Sequence, residues 1–142
     1  MANIVPDSFK TDLLGGVFDF DSGGATFRLA LCTDISGFST STTAYTTTNE
    51  VSSSGTGYTA GGNTLTNNGV SVSSNIAFVD FADLTFSSVT LTADSALIYK
   101  DTSNEAVLVL DFGGDKTATN GDFVIQFPTA DSSNAIIRLG DA

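Results

Sequence analysis

From Thr26 onward the chain is a succession of short apolar runs, several of them alternating with polar residues, broken about every ten residues by turn-forming side chains. In "TFRLALCT" the period of two places Phe27, Leu29 and Leu31 on one face and Arg28, Ala30 and Cys32 on the other. "NIAFVDFADLTFSSVTLTADSALIYKD" continues with Ile76, Phe78, Leu84, Phe86, Val89, Leu91, Leu97 and Tyr99, and "DFVIQF" and "NAIIRL" close the series. "EAVLVLDFGG" is almost wholly apolar, as suits a strand covered on both faces. No helical crossover separates these runs, so a parallel α/β sheet is excluded. The expected fold is therefore all-β: a single-domain antiparallel β-sandwich or barrel, jelly-roll-like, spanning residues 1–142.

Two turns stand out. Asp101, Thr102, Ser103 and Asn104 join two strong strand candidates in "YKDTSNEA", and Asn120-Gly121 is the dipeptide that tolerates positive φ at both centres of a tight hairpin. A second hairpin or a sharp corner is expected there.

One short helix precedes the strands, within an N-terminal arm of residues 1–16. Asp7 or Ser8 can cap it after Pro6, Phe9, Leu13 and Leu14 share a face, and Gly15-Gly16 ends it. Two turns of helix are not stable alone in water, so this face must dock on the protein's own body or on a neighbouring subunit.

Between the first strand and Asn75 lies a long polar stretch rich in Ser, Thr, Gly and Asn. Were it a linker, the piece before it would be too small to fold by itself. Residues 36–75 are therefore read as an ordered excursion from one domain, with Phe38, Tyr45, Tyr58 and Leu65 as anchors. Ordered loops of this length are usually functional.

Composition removes several functions. The formal net charge is −11, and the five basic residues are scattered, with none between Arg28 and Lys100. Nucleic acid and anionic membrane surfaces both require clustered cations, so neither is an expected partner. The N-terminus lacks the basic start and apolar run of a secretory signal, and no window approaches a membrane span of ~18 apolar residues.

Histidine is absent and Cys32 is the only cysteine, which removes the commonest general base, a Cys/His zinc site and any intramolecular disulfide. Cys32 reads as a small core residue. Asp19 and Asp21 in "FDFDSGG" resemble a fragment of a calcium loop, but the later ligands, above all a bidentate Glu, are missing. They read as a solvated turn, and no metal or other cofactor is expected. Asp80 with Asp83, and Asp111 with Asp115 and Asp122, could form a glycosidase pair only beside a sugar-binding cleft, and tryptophan is absent. Phe78, Phe81, Phe86, Phe112, Phe123 and Phe127 read as core.

The stretches "MANIVPDSFKTDLLGGVFDF", "FRLALCTD", "SGTGYTAGGNTL", "VTLTADSALIYKD", "LVLDFGGDKTATNGDFVIQFP" and "AIIRLGDA" run in the order of a group of small tailed-bacteriophage virion proteins, which the chain resembles along nearly its whole length. The resemblance implies a structural particle protein without catalysis, such as a head decoration or cement protein. Its partners would then be the major capsid protein and copies of itself, most plausibly as a homotrimer, on the head exterior. A tail, baseplate or neck component is the alternative, and a carbohydrate-binding module using Tyr45 or Tyr58 is a further one. Phe9, Leu13, Leu14, Tyr45 and Tyr58 are the candidate contacts with capsid or subunit.

Overall fold

A computed structural model describes residues 2–141. It is mostly β, with two antiparallel sheets and one short helix. The helix α1 is Asp7–Leu14, and the strands are β1 (Phe27–Cys32), β2 (Asn63–Thr64), β3 (Asn67–Ser73), β4 (Ile76–Phe81), β5 (Leu84–Lys100), β6 (Ala106–Ile125) and β7 (Ile137–Leu139). One sheet has the order β2-β1-β5-β6 and the other β3-β4-β7.

The alternating face read in β1 is the buried one: Phe27, Leu29 and Leu31 enter the principal core together with Val79, Phe81, Phe86, Val107 and Phe123. Both sheets contribute to it. The opposite face of β1 and of the adjoining β5–β6 segment carries a smaller cluster, Ala30, Leu97, Tyr99, Ala106 and Val109, against which Ile4, Ile35, Phe38 and Tyr45 pack. Phe18 and Phe20 join the core through a run of rings that the alternating-strand reading did not include. Phe9 lies 5.1 Å from Phe18, and Phe20 stacks on Phe27 at 4.6 Å. Of the six phenylalanines expected inside, Phe81, Phe86 and Phe123 are buried, Phe112 and Phe127 pack against the core from its rim, and Phe78 is half-buried.

The hairpin read at Asp101–Asn104 is present, with Lys100 N–H donating to the Glu105 carbonyl and Asn104 N–H to the Lys100 carbonyl. The turn read at Asn120-Gly121 is not: both residues lie inside β6, a single 20-residue strand. Asn120 does take positive φ, 50°, but as an irregularity opposite Thr90, whose hydroxyl accepts from Asn120 N–H, at one of two neighbouring β5–β6 register shifts; Ser88, also at positive φ, marks the other. The local conformational preference was legible; whether it reverses the chain or makes a bulge depends on a partner strand far away in sequence.

At α1, Pro6 occupies the N-cap position without any side-chain cap, correcting the expectation for Asp7 or Ser8. Ser8 Oγ instead donates to the Thr42 carbonyl, and Asp7 N–H donates to the Thr40 carbonyl, so the excursion itself satisfies this helix end. The excursion is not one loop: residues 33–62 form an irregular arm, after which β2 and β3 rejoin the sheets.

Candidate functional site

The arm leaves the sheet at Cys32 and returns at Asn63, and three of its side-chain anchoring bonds converge on Glu50. Thr33 N–H donates to the Asn49 carbonyl and Val51 N–H to the Leu31 carbonyl, laying residues 49–51 against the end of β1. Glu50 Oε1 then accepts from the Tyr58 hydroxyl at 2.7 Å and from Gly61 N–H at 2.6 Å, while Oε2 accepts from the Tyr45 hydroxyl at 2.7 Å. The Tyr58 oxygen in turn accepts from Leu31 N–H at 3.0 Å.

A second layer closes over the first. Tyr45 stacks on Tyr99 with ring centroids 4.3 Å apart and planes 10° from parallel. The Tyr99 hydroxyl donates to the Gly61 carbonyl at 2.6 Å, and the Arg28 guanidinium donates to the carbonyls of Gly61 and Gly62. All three tyrosines of the chain therefore serve one anchor. Gly62 is required there: its φ is +72°, and a Cβ would overlap the Leu29 carbonyl.

Burial, and then the hydrogen bond to Glu50, hold the Tyr58 and Tyr45 hydroxyls well above the usual phenol range. Tyr99 is raised by burial and partly offset by Arg28. Burial, with Glu50 and Asp94 nearby, pushes the Cys32 thiol up to about 12. These groups stay protonated and lock backbone in place; a thiol held this high is a poor nucleophile.

The interface candidates divide accordingly. Phe9 and Tyr58 are buried inside the chain, and the half-buried Tyr45 turns its hydroxyl to Glu50, so the side chains of Phe9 and Tyr58 are committed to the chain's own core. Leu13 packs at the rim of the core, whereas Leu14 is 84% exposed. Leu13 and Leu14 border an apolar groove of about 530 Å³ between α1, β6 and β7, together with Val5, Leu108 and Leu139, and Lys10 and Arg138 supply its charge.

The carboxylates considered for chemistry mostly tie neighbouring backbone. Asp19 Oδ1 accepts from Asp21 N–H within an exposed turn, and Asp83 accepts from Phe127 N–H. Asp111 accepts from Gly113 N–H. Asp80 is buried, with one oxygen bonded to Phe81 N–H, and burial raises its pKa. Among the described residues, no group of three or more His, Cys, Asp or Glu is placed to hold a metal ion.

The Glu50 hub was missed because a single acid in "TTTNEVSSSG" has no local pattern. The available signal was that it is the only charged residue in a long polar run containing two of the three tyrosines. Comparison with family models, curated proteins and solved structures finds no match to this chain.

Proposed function

We propose that the protein is a non-enzymatic structural component of a tailed-bacteriophage particle, acting as a head decoration or cement protein that binds the major capsid protein from outside. The observation that carries this reading is the Glu50 anchor. A 30-residue, largely polar arm is tied at its centre, through Glu50, to its own Tyr45 and Tyr58, near its end to Tyr99 through the Gly61 carbonyl, and along its length to α1 and the β5–β6 turn. Such an arm is already ordered before binding, so little conformational entropy remains to be lost on docking. Weak contacts repeated over a lattice then add through multivalency. The likeness of the chain to small virion proteins supports the same role, as does an acidic surface suited to solubility at high copy number.

The groove beside α1 supplies the contact to test. Leu14→Asp should leave circular dichroism unchanged, because the side chain is exposed, and should abolish co-sedimentation with empty capsids if this groove meets the lattice. Electron cryomicroscopy of the parent particle decides the location. Density on the head exterior is expected; density confined to the tail would retain a particle role and remove the capsid-stabilising one.

A further inference from the structure

The outer edge of β3 is a second kind of surface. β3 ends the β3-β4-β7 sheet, and its hairpin with β4 closes through Ser74-Asn75, with φ of 51° and 63°. A two-residue turn of this kind makes Ser73 and Ile76 a hydrogen-bonded pair, so the alternation along an antiparallel ladder directs the N–H and C=O of Val72 and Val70 away from β4. Ala77 and Val79, their partners in β4, correspondingly face β7. The backbone groups at the open edge thus belong to the two most exposed apolar side chains of the strand, Val70 at 51% and Val72 at 73%.

Edges of this kind are normally guarded. The edge of β6 is: Ile4 pairs with Val109 near its start, Gly113 and Gly114 break its regularity with positive φ, and Asp115, Lys116 and Asp122 line its far half. β3 has neither charge nor proline. No charged residue occurs anywhere between Glu50 and Asp80, although the chain as a whole carries −11. Two copies of so acidic a protein repel each other over most of their surfaces, and this neutral strip is where they can meet at least cost.

We infer that β3 is a self-association edge, where a second copy of this chain adds its own β3 antiparallel across a two-fold axis. The register that uses both outward residues centres on Ser71: Val70 exchanges backbone hydrogen bonds with Val72 of the second copy, and Val72 with its Val70. The sheets join as β7-β4-β3-β3-β4-β7, and the four valines cover one another across the seam. So short an edge makes a weak contact, significant at high concentration or when copies are held close. The inference goes beyond the particle role and stands without it.

In this register Ser71 faces its own copy as a non-hydrogen-bonded pair, with Cα atoms ~4.5 Å apart, within reach of a disulfide. The native Cys32 is buried and does not compete. Ser71→Cys should therefore oxidise to a covalent dimer at least tenfold faster than Ser87→Cys, an exposed position on β5. Sedimentation velocity of the unmodified chain should show a concentration-dependent monomer–dimer equilibrium. Val72→Pro, which removes an outward N–H while leaving the β4 ladder intact, should weaken it at least tenfold with the circular dichroism spectrum unchanged. Equal oxidation rates, a monomer at every concentration, or a trimer in place of a dimer would each overturn the inference. If Val72→Pro fails to fold, the two cysteine variants decide the matter alone.

Discussion

The two halves of the β5–β6 hairpin, built from the same pair of strands, are covered differently. Near the turn, residues 95–99 of β5 are all buried, and Ala106, Val107, Leu108, Val109 and Leu110 match them in β6. Farther out, β5 alternates: Phe86, Leu91 and Ala93 are buried, while Thr85, Ser87, Thr90 and Thr92 face water. The principal core lies along one face of both halves. Only the half near the turn has a cover on its second face, made of the arm and the N-terminal residues through Ile4, Ile35, Phe38 and Tyr45. A strand reads as continuously apolar where something else in the chain will cover it, and as alternating where nothing will.

If that second cover depends on the Glu50 anchor, breaking the anchor should convert the near half into something like the far half. Gly62→Ala is the most severe way to do so. It imposes a side chain at positive φ and drives a Cβ into the Leu29 carbonyl, and backbone cannot yield as a flexible side chain would. A loss of about 4 kcal/mol or more is expected in chemical denaturation. Hydrogen exchange should quicken first at Tyr45, Val51 and Ala106.

Glu50→Ala removes the acceptor and leaves the backbone geometry alone. The Tyr45 and Tyr58 hydroxyls and Gly61 N–H lose their partner together, at a cost of about 3 kcal/mol. Tyr58→Phe removes one arm of the hub and should cost about 1–2 kcal/mol. Its cost measured in the Glu50→Ala background should shrink, because the two groups act as a unit. Equal costs in both backgrounds would mean that the hydroxyl stabilises through its bond with Leu31 N–H and independently of Glu50.

Much of this contrast was legible in the sequence. "EAVLVLDFGG" announced a doubly covered strand, and Phe27, Leu29 and Leu31 announced the inner face of β1. What covered the strand was not legible. Glu50, Tyr58, Gly61 and Arg28 come together only after β1 has paired with β5 and the arm has closed over it, and no periodicity relates them. For the same reason the sequence leaves Tyr58 both as an anchor of the excursion and as a candidate outer contact, since aromatic side chains in polar loops occur both in interfaces and beneath ordered loops. At Asn120-Gly121 the residues specified a backbone state without specifying its use, and the long partner strand made it a bulge.

A change in the second sheet, away from the arm, should affect both halves alike through global stability. Asp80 provides one. Burial raises its carboxyl above the ordinary aspartate range, reinforced by Asp83 and Asp131 and opposed by backbone donors at Phe81 and Ile136. Between the unfolded and the raised folded pKa, the folded protein holds more protons than the unfolded one, so stability falls as pH rises through that window. Asp80→Asn retains an oxygen for Phe81 N–H and cannot ionise. It should be more stable than the parent at pH 7, about equal to it below the unfolded pKa, and free of this part of the pH slope. An unchanged slope would assign the pH dependence to other carboxylates.

The smallest effect belongs to the uncovered face. Thr92 and Thr117 sit opposite each other in the far half, with hydroxyl oxygens 2.8 Å apart and open to water. Water replaces such a bond readily when one partner is lost, and valine suits an exposed strand position as well as threonine does. Thr92→Val should therefore change stability by about 0.5 kcal/mol or less. A matched substitution on the covered face, Leu97→Ala, should cost about 2–5 kcal/mol through the cavity it leaves under the arm. The comparison becomes sharper in the Gly62→Ala background. With the arm displaced, Leu97 faces water on that side and its truncation should approach the small cost seen at Thr92, whereas a full penalty there would show that Ile4, Ile35 and Phe38 hold the cover without the Glu50 anchor.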